Sequence, residues 1–418
     1  MQDKKILPLN SRQFYLLGSG SWFFAFGMQG VLFAWLVTMV LEESPANVGF
    51  AQIALLLPST LLLLLGGSLA DQYGTRRLLL ISQSLSAIAP LFLIGVLAFG
   101  TLSYPVMLGY AVMMGCAQAF VTPARDGLLS EVAGAQVQRT VAQAMLMQFG
   151  GQILGFALAG FADTLGPTLV IFFQLSALML GVFAFRRVLV RPRPTTRRQR
   201  SLVGEITTSI IDGGRSVLRS APMRIVMLQN VAMGTFFMGS YIVTFPILIR
   251  EVYGGDSSDL ALLNITNSIG LVTTIFLLLR FGDVHRQGRA LLITQGIGCV
   301  MLGAPGIFYG FPALLALIFC WGACGGIAMS MSRTIMQENA PPDQRGRVMA
   351  FYSFSFMGSG PLGALLSAFL VTNYGPESAL LISSSAMFAI ITCIAVMSKL
   401  WQLDATPDPT AQPNPLPN

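Results

Sequence analysis

Gly66-Gly67-Ser68-Leu69-Ala70-Asp71-Gln72-Tyr73-Gly74-Thr75-Arg76-Arg77 is the stretch whose reading decides the fold. It is a short polar junction between two long apolar runs, 47–70 and 78–100. Each run has the roughly 20 apolar residues that a helix needs to cross a bilayer core. Gly67 and Gly74 let two helices and a tight turn come close together. Asp71 is an acid at a helix end beside Arg76 and Arg77, where it can cap a neighbouring helix or pair with the cations. The plainer alternative is a turn that carries charges only to set topology.

Outward from this junction the same pattern repeats along the chain. The spans are 14–41, 47–70, 78–100, 104–124, 140–162, 167–189, 223–249, 259–280, 290–310, 312–333, 348–372 and 377–400. Charged residues are 10% of the sequence, against about 25% in soluble domains, and mean hydropathy is +0.69. Little chain is left for a soluble domain, so the membrane bundle is the functional part. With the N-terminus in the cytoplasm, 24 of the 25 Lys and Arg residues fall on the cytoplasmic side and only Arg250 falls outside. That bias orients helical membrane proteins. It places both termini in the cytoplasm and the protein, as a multi-pass chain, in the inner membrane. The net charge of +7 therefore reports topology and lipid head-group contacts, and a nucleic-acid partner is not expected. Residues 1–12 are polar and the first apolar run is too long for a cleavable signal.

The chemistry of most enzymes is missing. Cys116, Cys299, Cys320, Cys324 and Cys393 all lie in apolar runs, and no His or carboxylate joins Cys320 and Cys324 to make a metal site. The single histidine, His285, sits among arginines in a loop. No span holds a nucleophile, base and acid set or a carboxylate pair, so the chain is not read as an enzyme. No cofactor is implied.

Residues 1–189 form a first half of six spans and 223–401 a second, joined by a cytoplasmic linker at 190–222 and followed by a disordered tail at 402–418. The halves resemble each other. At an offset of 208, Arg125 meets Arg333, Gln136 meets Gln344, Arg139 meets Arg347 and Gly155 meets Gly363. At an offset of 212, Asp71 meets Asp283, Arg77 meets Arg289 and Gln83 meets Gln295. Charged and amide matches in one register are not a by-product of apolar composition. Duplicated six-span units are a known plan for secondary transporters, with substrate bound near the midplane between the halves.

The Gly66–Arg77 junction closely resembles the loop motif between the second and third spans of the major facilitator superfamily. A degenerate copy stands at Gly282-Asp283-Val284-His285-Arg286-Gln287-Gly288-Arg289. The resemblance covers essentially the whole chain. It implies an all-α membrane protein of twelve transmembrane helices in two pseudo-symmetric six-helix halves, cycling between inward-open and outward-open states. It also implies a gating motif of Gly67, Asp71, Gly74, Arg76 and Arg77, with Asp71 in a charge relay that holds the cytoplasmic gate shut. Position 68 is Ser, a mild departure. Thr122-Pro123-Ala124-Arg125 and Arg333-Thr334-Ile335-Met336-Gln337 look like the stretches after spans four and ten in the enterobactin-exporter and macrolide-efflux branch. Antiporters of the superfamily often carry a Gly-Pro-rich motif in span five. Here Gly150-Gly151-Gln152 has Gln in place of Pro, which weakens the case for coupling to the proton gradient.

Polar groups within spans are costly unless they are partnered or face water, so they are the candidates for substrate contact. Phe26, Gln29 and Phe33 share a face of span one with Trp22. Gln148 and Gln152 lie in span five, Asn230 and Tyr241 in span seven, and Asn264 and Asn267 in span eight. Arg125 stands at the cytoplasmic mouth of span four. Each amide taken alone is better read as an interhelical hydrogen-bond partner; as a set, about half are expected to face the cavity. Pro58, Pro246 and Pro361 interrupt spans, and each frees a carbonyl and permits a kink. No Asp or Glu lies in the middle of any span, which favours a neutral, zwitterionic or anionic small molecule over a permanent cation. The reading is an exporter of a siderophore or drug-like molecule, acting as a monomer. The alternative is an importer or lipid transporter on the same fold.

Overall fold

The computed structural model describes residues 9–133, 137–189, 214–215, 217–281, 284, 286–307, 310–341 and 345–403, without the side chains of 9, 10, 64, 67, 68, 71, 72, 137, 138, 281, 345–347 and 350. Most of the expected linker and the tail beyond Leu403 therefore lie outside the described residues. Every described element is helical. The elements are α1 (Leu9–Trp35, continued by a π turn Leu36–Val40), α2 (Pro45–Tyr73), α3 (Thr75–Ser86), α4 (Ile88–Ala98), α5 (Tyr104–Ala133), α6 (Val137–Ala159), α7 (Ala162–Leu165) and α8 (Pro167–Arg187). They are followed by α9 (Ala221–Met233), two π turns (Gly234–Met238 and Ser240–Thr244), α10 (Phe245–Glu251), α11 (Ser257–Phe281), α12 (Gln287–Gly303), α13 (Phe311–Asn339) and α14 (Arg345–Met397). Among the described residues, ten segments are long and apolar enough to cross a membrane.

Local signals set the ends. The Ser44 hydroxyl accepts the Asn47 N–H and Pro45 opens α2, a capping arrangement suited to a helix start. Gly74 ends α2 at φ 86°, a conformation that L side chains rarely adopt. Asp256 caps α11 by accepting from the Ser258 hydroxyl and N–H and the Asp259 N–H. Burial opposes its ionisation, but these bonds outweigh it and hold the carboxyl below its ordinary range.

Four expected spans differ in detail. The run 78–100 is broken at Ala87 into α3 and α4. The run 290–310 is α-helical only to Gly303, where Pro305 belongs to a short 3-10 turn. The last two runs form one helical segment, interrupted at Gly375 (φ 78°) just before Pro376.

Glycines decide which helices touch most closely. In the first half, a Cβ at Gly155 would overlap the Phe24 carbonyl of α1, and one at Gly66 would overlap the Ala119 carbonyl of α5. In the second half, Gly363 of α14 meets the Thr235 carbonyl and Gly322 of α13 meets the Asn267 carbonyl of α11. Gly66 is thus a described glycine of the junction that admits a close crossing. Gly155 and Gly363 are the pair aligned at an offset of 208, and they do the same work in each half.

The two halves meet on one side of the bundle. Residues 41–44, 99–103, 160–166, 252–256 and 304–307 lie at the face that is poor in arginine. There Arg250 Nη1 donates to the Thr38 and Glu43 carbonyls at 2.8 and 3.0 Å. Ser257 donates its N–H to Asp163 at 2.7 Å and its hydroxyl to the Gly160 carbonyl at 3.0 Å. Further in, Gln52 Nε2 donates to the Ile242 carbonyl at 3.1 Å and Thr60 to the Met357 carbonyl at 3.3 Å. The arginine-poor side is closed.

Candidate substrate path and gate

An α-helix turns about 100° per residue, so exposure along it shows which face looks at lipid. On α6, Leu146, Leu154 and Phe161 just beyond it are exposed on one side. Gln148 and Gln152 project from the opposite side, between the faces that meet α1 and α11. On α11, Leu262, Ile269 and Phe276 are exposed, and Asn264 and Asn267 project away from them. The helices α6 and α11 cross at Gly160 and Ala261. The four half-buried amides therefore lie on the inward faces of two helices, all on the arginine-rich side of that crossing. Tyr241 donates to Asn264 Oδ1 at 2.6 Å and joins span seven to this strip. Gln148, Gln152 and Asn267 make no side-chain hydrogen bond among the described residues.

An aromatic wall stands beside the strip. The Trp321 ring of α13 packs on Phe237, Tyr241 and Phe245 at centroid distances of 5.6, 5.8 and 5.9 Å. A small cavity between α12, α13 and the π turn after α9 is lined by Phe237, Gln295, Trp321 and Cys324. Trp321 was not among the candidates read from the sequence. Its signal was a tryptophan in mid-span, away from the interface belt where tryptophans usually lie.

Of the other candidates, Phe33, Asn230 and Arg125 have partners in the structure. Phe33 is buried and stacks on Tyr110 at 6.2 Å. Gln29 is buried and Phe26 half-buried on α1. Asn230 donates to the Tyr352 carbonyl and the Ser355 hydroxyl, tying α9 to α14. Arg125 is buried, with its guanidinium 4.3 Å from the Phe23 ring centroid and 3.2 Å from Asp126. Its counterpart Arg333 is exposed.

The gating junction is partly visible. Thr75 donates to Glu131 at 3.0 Å, locking the start of α3 to the end of α5. Arg76 donates to the Phe185 and Arg186 carbonyls at 3.3 and 2.6 Å. These are terminal carbonyls of α8, where a cation complements the helix dipole. The degenerate copy repeats the scheme: Gln287 donates to Glu338 at 3.0 Å and Arg289 to the Trp401 carbonyl at 3.1 Å. Arg77 is exposed, and the Asp71 side chain and the surroundings of Gly67 lie outside the described residues.

Paired close crossings and a half-buried amide strip define a multi-pass helical bundle with polar groups on its inward faces. The chain belongs to the transmembrane secretion effector family of the major facilitator superfamily, whose model matches residues 5–417. It is 25% identical over 399 residues to the multidrug efflux pump Tap of Mycolicibacterium fortuitum, covering 92% of this chain and 94% of that one. It is 24% identical over 371 residues to the staphyloferrin A transporter of Staphylococcus aureus, covering 86% and 88%. In fold it is similar to the nucleoside transporter NupG (TM-score 0.71, 14% identity, 93% of this chain and 99% of that one). It is also similar to the human organic anion transporter MFSD10 (TM-score 0.67, 15% identity, 92% and 99%).

Proposed function

We propose that the protein is a secondary active exporter of a small neutral, zwitterionic or anionic molecule, siderophore- or drug-like, working by alternating access as a monomer in the inner membrane. The arginine-rich face is cytoplasmic, and the contacts between the halves close the opposite, arginine-poor side. The observation that carries this reading is the strip Gln148, Gln152, Asn264 and Asn267 beside Tyr241, half-buried on inward faces with no carboxylate among them. Amides and a phenol serve hydrogen-bonding ligands, whereas a buried permanent cation needs a compensating charge. A twelve-helix count in two halves is supported by the break at Gly375 and by α12, a 17-residue helix. The names of the relatives, a multidrug efflux pump and a siderophore transporter, support the substrate class. Asp71 acts in the cytoplasmic gate, which must close when the arginine-poor side opens.

Transport into everted vesicles tests this. An anionic or neutral hydroxycarboxylate siderophore should accumulate in vesicles carrying the protein and not in empty ones. Ethidium should not. Strong ethidium accumulation without any anion transport sinks the charge reading. Uptake only in right-side-out vesicles reverses the direction to import, the alternative on this fold. Collapse of accumulation by a protonophore would identify protons as the coupling ion.

A further inference from the structure

Proline has no N–H, so in a helix it leaves the carbonyl four residues earlier without its usual donor. For Pro246 that carbonyl belongs to Ile242, and for Pro361 it belongs to Met357. These two carbonyls are the acceptors of Gln52 and Thr60. Both donors come from α2 in the first half, and both acceptors lie in the second half. Gln52 and Thr60 are buried, so losing either partner would strand a polar group in an apolar interface. The region before Pro246 is distorted into π turns, and Pro361 lies inside α14 where that helix packs on α2.

We propose that Pro246 and Pro361 serve as acceptor-makers: they expose the Ile242 and Met357 carbonyls so that Gln52, toward the arginine-poor side, and Thr60, near the middle of the bundle, can clasp the halves together. At the rim Arg250 likewise takes backbone carbonyls of the other half, those of Thr38 and, in the loop that follows, of Glu43. A clasp made on backbone carbonyls closes without a buried ion pair, so opening does not strand a charge in the membrane. Restoring an N–H at position 246 or 361 would give each carbonyl a competing partner within its own helix and loosen the clasp.

This inference rests on the alternating-access reading, and its test separates the two. Spin labels would be placed at Thr101→Cys and Asn373→Cys, exposed positions on the arginine-poor side of each half, in a background lacking the native cysteines. Double electron–electron resonance in nanodiscs then reads the closed and open distances. Gln52→Leu should raise the open-to-closed ratio about tenfold. Pro246→Ala should act in the same direction, and the double variant should show no more than the larger single effect, because both act through one carbonyl. Thr60→Val and Pro361→Ala should behave alike. Additive effects, or unchanged distributions in a protein that visibly samples both states, overturn the clasp alone. If a proline variant fails to accumulate, Gln52→Leu and Thr60→Val decide the matter, and no shift in either overturns the proposal. A single distance in the wild type and every variant, with or without siderophore, overturns alternating access as well.

Discussion

The first and second halves of the molecule share their closest crossings and differ in their polar chemistry. Gly155 seats α6 on α1 as Gly363 seats α14 on the π turn after α9. Thr75 locks to Glu131 as Gln287 locks to Glu338, and Arg76 takes terminal carbonyls of α8 as Arg289 takes the Trp401 carbonyl in the 3-10 turn Lys399–Gln402 that follows α14. Yet Arg125 is buried under Phe23 while Arg333 is exposed. Among the described residues, the prolines that free the Ile242 and Met357 carbonyls lie in the second half, and the side chains that take those carbonyls lie in the first. Packing constrains both halves alike, because a crossing that needs glycine tolerates nothing larger. Polar groups are free to diverge, and their asymmetry lets one half supply donors and the other acceptors.

The largest expected effect tests the shared part. Gly155→Ala and Gly363→Ala should each destabilise the protein by about 1–3 kcal/mol or more, since the new methyl meets a backbone carbonyl that cannot move far. Gly150→Ala has open space and should be near neutral. Thermal unfolding in detergent, followed by tryptophan fluorescence or loss of monodispersity, reads all three. Equal stability of Gly155→Ala and Gly150→Ala would break the comparison at its base.

An intermediate effect tests the divergence. Arg125→Ala should cost about 1–2 kcal/mol from the lost cation–π contact and packing, whereas Arg333→Ala should fall within about 0.5 kcal/mol of wild type. Arg125→Lys should not rescue fully, because the planar guanidinium is what stacks on Phe23. Matched losses at both arginines would show that they remain equivalent. The smallest effect is the polar lock at the end of each half. Thr75→Val and Gln287→Leu should each cost about 0.5–1.5 kcal/mol, alike within error. A large difference between them would mean that one junction carries load the other does not.

Much of this was legible in the residues. Apolar runs of span length, the arginine bias and the Gly66–Arg77 junction together specified a helical membrane transporter, and the 208-residue offset located the Gly155 and Gly363 pair. These features depend on composition and short-range spacing, which every residue reports directly. The candidate contacts were legible only as a pool. Gln148, Gln152, Asn264 and Asn267 share the inward side of α6 and α11, whereas Asn230 and Phe33 have the same apolar setting and are occupied by Ser355 and Tyr110. A polar or aromatic residue in a span looks alike in sequence whether it faces a cavity or a neighbouring helix.

Sequence by itself determined the class of protein, the expected side of the membrane for each loop and the prolines that must leave carbonyls without donors, because bilayer thickness, charge partition and a missing N–H act locally. It also marked Arg250 as the one cation out of place. Only the tertiary structure decided where those local facts lead: Arg250 to the Thr38 and Glu43 carbonyls, Gln52 to Ile242, Thr60 to Met357. The Gln52 and Thr60 partners stand 190 and 297 residues apart in the chain. Their meeting depends on how two helical bundles dock, a relation that no local pattern encodes.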